Sequence, residues 1–172
     1  MAAGFSLRKY NVNIKEKRHR LPKEYYVGEM SAAFTLCLKR DVQAFIKPQI
    51  ISIFTDILTS VVTEESCIVP VYCFMPDHQH LIITGTYSDS DIWNAIVNYK
   101  QKTGFWMSVN KPELRWQKDF YDHIIRTNEN IAVQVRYILD NPVRKGLVSF
   151  WQEYPFKGSI GCKMEDVLIG II

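Results

Sequence analysis

Val69-Pro70-Val71-Tyr72-Cys73-Phe74-Met75-Pro76-Asp77-His78-Gln79-His80-Leu81-Ile82-Ile83-Thr84-Gly85 reads as two apolar runs broken at Met75-Pro76-Asp77. Each run has the length of a strand, and the short break makes the two antiparallel neighbours. Pro76 cannot donate to a sheet ladder, which suits the turn. Side chains alternate between faces along a strand, so His78 and His80 share one face and Gln79, Leu81 and Ile83 share the other. Two neutral imidazoles at this spacing can grip one metal ion. They can equally be strand histidines facing solvent, and a motif as short as His-x-His leaves both readings open. The chain has 4 histidines, so half of them lie in this one stretch.

Working outward, a first strand is expected within residues 25–38, where Ser31-Ala32-Ala33-Phe34-Thr35-Leu36-Cys37-Leu38 follows Gly28-Glu29-Met30. Asp41 to Phe45 suits a turn or short helix. From Pro48 to Val62, Ile50, Ile51, Ile53, Phe54, Ile57, Leu58, Val61 and Val62 recur at helical spacing, with Pro48 in the first turn. The two runs above give strands at about 67–74 and 78–84. Ser88-Asp89-Ser90-Asp91 offers cap oxygens for a helix over about 89–103, and a loop follows through Asn110-Lys111-Pro112-Glu113. Residues 115–126 read as a loop entering a fourth strand. A third helix over about 129–139 turns Ile131, Val135, Ile138 and Leu139 inward and stops before Asn141-Pro142.

The order β-α-β-β-α-β-α predicts an α+β fold, a ferredoxin-like split βαβ sandwich. Its four-stranded antiparallel sheet carries two helices on one face, and the third helix is an addition. The first and third strands are then central, which puts His78 and His80 on a central strand. A single domain is expected over 1–172, with a basic arm at 1–23, a core at 24–150 and a tail at 151–172.

A hydrophobic content of 47% is ample for a buried core and excludes a disordered or low-complexity class. No apolar stretch reaches the roughly 18 residues that a spanning helix needs, so no membrane partner is expected. The N-terminus lacks an apolar core of signal-peptide length, which points to the cytoplasm. Cys37, Cys67, Cys73 and Cys162 show no metal-binding spacing and read as free thiols. Net charge is only +3, yet Arg8, Lys9, Lys15, Lys17, Arg18, Arg20 and Lys23 face the single acid Glu16 within residues 8–23. A basic arm on a near-neutral body suits phosphate contact, and it suits a solvated terminus equally.

Tyr137 and Asn141 are four apart and so lie on one helical face. If that face meets His78 and His80, two imidazoles and an amide oxygen form an open set that suits Mg²⁺ or Mn²⁺. A closed structural zinc site would need four ligands, and those are absent. A phenol beside such an ion can attack a phosphodiester, whose developing charge the ion neutralises. Taken singly, Tyr137 also reads as a packing residue and Asn141-Pro142 as a plain helix stop.

Phe74-Met75-Pro76-Asp77-His78-Gln79-His80-Leu81-Ile82 resembles the "MPNHxHLL" segment of single-tyrosine HUH transposases. The segments 116–126 (Trp116-Gln117-Lys118-Asp119-Phe120-Tyr121 onward) and 137–148 (Tyr137-Ile138-Leu139-Asp140-Asn141-Pro142-Val143-Arg144-Lys145-Gly146-Leu147-Val148) resemble two more, most typical of the REP-associated tyrosine transposase branch. The order and separation of all three fit over roughly 8–150. The resemblance implies His78, His80 and Asn141 as metal ligands for Mg²⁺ or Mn²⁺, and Tyr137 as nucleophile. It implies cutting and rejoining of single-stranded or hairpin DNA through a 5′-phosphotyrosine bond, in a bacterial cytoplasm and on the nucleoid when bound. Asp77 replaces the usual Asn and Gln79 the usual apolar residue; neither removes a ligand, though Asp77 adds negative charge near the ion.

Within or beside these segments, Lys100, Lys102, Arg115, Lys118, Arg126, Arg144 and Lys145 are expected to meet DNA, with Trp116 as a stacking platform. Tyr121, with His123 nearby, is the rival nucleophile; Tyr137 is preferred because it alone has Asn141 one turn away. The competing function is a non-catalytic or domesticated ferredoxin-like nucleic-acid-binding module. A homodimer is left open.

Overall fold

A computed structural model describes residues 21–39 and 42–170. Most of the basic arm therefore lies outside the described residues. Of its cations Lys23 is described, in a 3-10 turn over Lys23–Tyr26 that sinks Tyr26 into the core. Asp41 is likewise outside; Phe45 and Ile46 form a turn.

Five antiparallel strands form the sheet: β1 (Ser31–Cys37), β2 (Cys67–Met75), β3 (His78–Gly85), β4 (Tyr121–Ile125) and β5 (Lys157–Ile160), in the order β4-β1-β3-β2-β5. β1 and β3 are central, as expected. They pair with Thr35 opposite His80 and Phe34 opposite Leu81. The four-stranded expectation is corrected by β5, which pairs with the outer edge of β2. Lys157-Gly158-Ser159-Ile160 has too little alternation to announce a strand; it is one because the edge of β2 offers it partners.

On one face lie α1 (Pro48–Glu64) and α2 (Ile92–Asn110), packing Phe54, Leu58, Val61, Ile96 and Tyr99 on Phe34, Leu36, Leu81 and Ile83. Asp91 caps α2 by accepting the Asn94 N–H at 2.8 Å. The helix runs seven residues past the expected end at 103, because Thr103 and Met107 continue the buried stripe of Ala95, Ile96 and Tyr99. On the opposite face lie α3 (Ile131–Leu139) and α5 (Met164–Leu168). There Val135, Ile138, Leu139, Tyr154, Met164 and Val167 cover Val71, Cys73, Met75 and Ile82. The expected stop at Asn141-Pro142 is a brief break: α4 (Asn141–Arg144) resumes at once, with proline in its first turn, where it costs no hydrogen bond.

Pro70 lies inside β2, where it has no N–H to donate, and the pairing register shifts around it between Ile68 and Val71. The shift exchanges the faces. Val69 packs with the α1/α2 core, while Val71 packs with α3, although simple alternation would keep them together. Gly85 is required at the end of β3, since a Cβ there would stand 2.1 Å from the Gly28 carbonyl oxygen.

Residues 151–170, expected to be a tail, thus supply one strand and part of the second core. Tyr154 is 5% exposed and donates its hydroxyl hydrogen to the Phe74 carbonyl at 2.6 Å. The four cysteines are free thiols. Among the described residues, no helix is long and apolar enough to cross a membrane. Tyr154→Phe should cost about 1 kcal/mol, the net worth of one such hydrogen bond, and Tyr154→Ala roughly 3–5 kcal/mol through the cavity it leaves. Urea unfolding midpoints of the two variants check both figures.

Candidate metal and tyrosine site

The strand pleat points His78, His80 and Ile82 toward α3, while Gln79, Leu81 and Ile83 point toward α2. Gln79 is fully buried and accepts the Tyr99 hydroxyl hydrogen at 2.7 Å. The turn before His78 is tied down at both carbonyls: Pro76 O accepts the Phe45 N–H at 3.0 Å and Asp77 O the Leu38 N–H at 2.9 Å.

The two imidazoles meet edge to face, with Nε2 to Nε2 at 3.1 Å. Their other nitrogens are engaged: Nδ1 of His78 lies 2.6 Å from Asp77 Oδ1 and Nδ1 of His80 lies 2.8 Å from Thr35 Oγ1. Burial, then the positive charges of His78 and Arg144, push the His80 pKa down to about 3 against the opposing charge of Asp77, so this ring is neutral at physiological pH. Two Nε2 lone pairs this close repel each other unless a proton or cation stands between them. With metal–nitrogen bonds of about 2.1 Å, the separation corresponds to neighbouring ligands at roughly 95° around one ion. The pair fits a divalent cation. His, Cys, Asp and Glu alone assemble no three-ligand metal cluster among the described residues; a further protein ligand from these residues would be of another type.

Asn141 is such a type. Tyr137, Asn141 and Arg144 form a ridge along α3 and α4, spaced by four and three residues. Val135, Ile138 and Leu139 face the sheet, which leaves Tyr137 56% exposed. The Arg144 guanidinium lies over the Tyr137 ring, 4.0 Å from its centroid, and donates to Asn141 Oδ1 at 2.9 Å. Asn141 Nδ2 donates to the Tyr137 and Ile138 carbonyls, each at 3.2 Å. In this arrangement the Asn141 oxygen is held by Arg144. Ile138 and Leu139 pack in one cluster with Cys73, Met75 and Ile82, so α3 lies over the sheet face that carries His78 and His80.

Tyr121 is better placed than its sequence context suggested. It begins β4 opposite Thr35, and Thr35 lies opposite His80. Directly paired residues share a face, so Tyr121 stands on the imidazole face, two strands or about 10 Å from β3. His123 shares that face but pairs with Glu129 at 2.7 Å. Asp122 turns the other way, and Tyr26 donates its hydroxyl hydrogen to it.

The expected DNA contacts are not gathered on one surface. Lys100, Arg115 and Lys118 line a groove of about 650 Å³ between α2 and the 112–120 loop, on the α1/α2 side. Lys102 pairs with Glu64 at 3.3 Å on that side too. Arg126 follows β4, where its charge helps hold the Glu129 carboxyl below the usual carboxylate range, after the larger effect of His123. Arg144 and exposed Lys145 stand on the tyrosine side. Trp116, expected as a stacking platform, lies largely buried at the wall of the groove that Lys100, Arg115 and Lys118 line. It is 8% exposed, packs on Phe45 and Phe54, and donates its indole N–H to Thr103 Oγ1 at 2.9 Å.

Residues 26–141 match the family described as "Transposase IS200 like". The chain belongs to this family. Among its relatives is the Escherichia coli "REP-associated tyrosine transposase", 32% identical over 85 residues, which are 48% of this chain and 48% of the relative. A Haemophilus influenzae "Putative REP-associated tyrosine transposase" is 30% identical over 97 residues, covering 49% of this transposase-family chain and 54% of the relative. The chain thus matches about half the length of these curated relatives. A solved structure of a REP-associated tyrosine transposase bound to a REP hairpin superposes with a TM-score of 0.67 at 24% identity, over 81% of this chain and 82% of the other, and so shares the fold.

Trp116→Ala should lower stability by roughly 3–5 kcal/mol, as loss of a buried aromatic ring does. Thermal and urea unfolding of the DNA-free protein check it. A variant that weakens only DNA binding would return Trp116 to the surface role.

Proposed function

We propose that this chain is a metal-dependent single-stranded DNA endonuclease and strand transferase, with hairpin DNA as substrate and Tyr137 as nucleophile. The observation that supports it most is the imidazole pair, with both Nε2 atoms converging at 3.1 Å and both Nδ1 atoms engaged elsewhere. His78 and His80 would hold Mg²⁺ or Mn²⁺, and Asn141 would add its amide oxygen once Arg144 releases it. The bound ion would supply Lewis-acid polarisation of the phosphodiester.

The chain's own groups do the rest. The Tyr137 oxygen gives up its proton and attacks phosphorus. A bond forms from the phenolic oxygen to phosphorus, and the bond from phosphorus to the 3′ oxygen breaks. The departing oxygen takes a proton and leaves as a free 3′-hydroxyl, while the strand 3′ of the cut stays on the tyrosine through its 5′ phosphate. Attack by another 3′-hydroxyl reverses the step, so strands rejoin without a nucleotide cofactor. Arg144 is suited to hold the phosphate, since a guanidinium matches phosphate geometry and this one already lies over the Tyr137 ring. Tyr137 is preferred to Tyr121 because it shares its ridge with Asn141 and Arg144. The hairpin substrate is inferred from the REP hairpin bound in the structurally similar REP-associated tyrosine transposase.

One observation favours the second reading, a nucleic-acid-binding module with idle chemistry: Asn141 Oδ1 is engaged by Arg144. Incubation of end-labelled hairpin oligonucleotides with and without Mn²⁺, resolved on denaturing gels, separates the two. The expected result is a covalent adduct retaining the label 3′ of the cut, present with Mn²⁺, absent in Tyr137→Phe and preserved in Tyr121→Phe. Binding without any adduct in the unaltered protein would support the idle module. An adduct lost in Tyr121→Phe and kept in Tyr137→Phe would move the nucleophile to β4. His78→Ala and His80→Ala should abolish the adduct while leaving the metal-free thermal midpoint nearly unchanged, as residues that serve an ion and not the core would do.

A further inference from the structure

We propose that Asp77 and Thr35 are positioning residues for the imidazole pair, Asp77 as a charged orienter of His78 and Thr35 as a neutral orienter of His80. The inference rests on the reading of His78 and His80 as metal ligands, and it concerns what makes their Nε2 atoms available.

Asp77 sits at the tip of the β2–β3 turn. Its carbonyl accepts the Leu38 N–H at 2.9 Å, which pins the turn to the end of β1, and its Oδ1 lies 2.6 Å from His78 Nδ1. An ionised carboxylate only accepts hydrogen bonds, so His78 Nδ1 carries the hydrogen. Its lone pair therefore resides on Nε2, the atom facing His80 Nε2 at 3.1 Å. Thr35 reaches the same result from the neighbouring strand. It lies directly opposite His80 in the β1–β3 register, and its Oγ1 stands 2.8 Å from His80 Nδ1. A hydroxyl can donate or accept; by accepting from Nδ1–H once a cation replaces the proton between the two Nε2 atoms, it would free the His80 Nε2 lone pair as well.

The two orienters differ in kind. Asp77 fixes the ring and also places an anion one hydrogen bond from the ligand, which strengthens His78 as a donor. Thr35 fixes the ring without charge. His78 is 19% exposed and Asp77 41% exposed, so the charged orienter keeps contact with solvent, which lowers the cost of holding its charge beside the ring.

The test uses the full chain without DNA. Mn²⁺ affinity is measured by electron paramagnetic resonance titration at neutral pH, and the histidine tautomers of the metal-free protein are read from long-range proton–nitrogen NMR correlations. His78 in the unaltered protein should show the Nδ1–H form. Asp77→Ala should weaken Mn²⁺ binding about 10–100-fold and move His78 toward the Nε2–H form. Asp77→Asn, whose amide oxygen still accepts the Nδ1–H, should keep the tautomer and lose less affinity. It also stands in if the alanine variant fails to fold. Thr35→Val should weaken binding, and Thr35→Ser, which keeps the hydroxyl, should restore it.

An Asp77→Ala protein with unaltered Mn²⁺ affinity and an unaltered His78 tautomer overturns the proposal while the metal reading stands. Equal losses in Asp77→Asn and Asp77→Ala with the tautomer kept in both overturn the orienting role. An unaltered protein that takes up no Mn²⁺ yet shows the Nδ1–H tautomer overturns the metal reading itself, and the positioning role with it.

Discussion

The pairing of β1 with β3 is the contact on which the remainder depends. Its register sets Thr35 opposite His80 and Phe34 opposite Leu81, so one face of both strands becomes the α1/α2 core and the other becomes the imidazole face. A slip of β3 by one residue would turn both imidazoles into the aromatic core and bring Leu81 and Ile83 out beneath α3, since side chains alternate with a period of two. The energetic cost of that exchange, in imidazoles stripped of partners and apolar area returned to water, makes the register specific. The site inherits its precision from the hydrophobic packing on the opposite side of the same strands.

Chemistry and stability are divided between the two faces. Phe34, Phe54, Phe74, Tyr99 and Trp116 pack one side, with Tyr99 holding Gln79 directly behind the two histidines. The other side is a thinner layer, in which α3 rests on β2 and β3 beside α5 and Tyr154. Residues 151–168 thereby help to hold the helix that carries Tyr137. Under the proposed function, this division would leave one side open to a strand of nucleic acid while His78 and His80 stay rigid.

The chain belongs to the IS200-like transposase family and shares its fold with a REP-associated tyrosine transposase. The cations do not form one surface. Lys100, Arg115 and Lys118 border the groove beside α2, whereas Arg144 and Lys145 stand with the tyrosine. A DNA strand following both sets would have to pass around a sheet edge.

Much was legible in the sequence because it is local. A pleat with a period of two puts His78 and His80 on one face whatever surrounds them, and a helical rise puts Tyr137 beside Asn141. The apolar spacing from Ile50 to Val62 likewise declares a helix before any partner is known. Other features belonged to the tertiary structure alone. Thr35 is 45 residues from His80 and meets it only through strand pairing. Trp116 reads as a surface aromatic among charges until Phe45 and Phe54 close over it. Tyr121 reaches the imidazole face, and Lys157-Gly158-Ser159-Ile160 becomes a strand, only because β1 and β2 offer their edges. Periodicity is a property of neighbouring backbone units, whereas cross-strand neighbours are chosen when distant segments compete to bury their apolar faces, and no local pattern records the outcome of that competition.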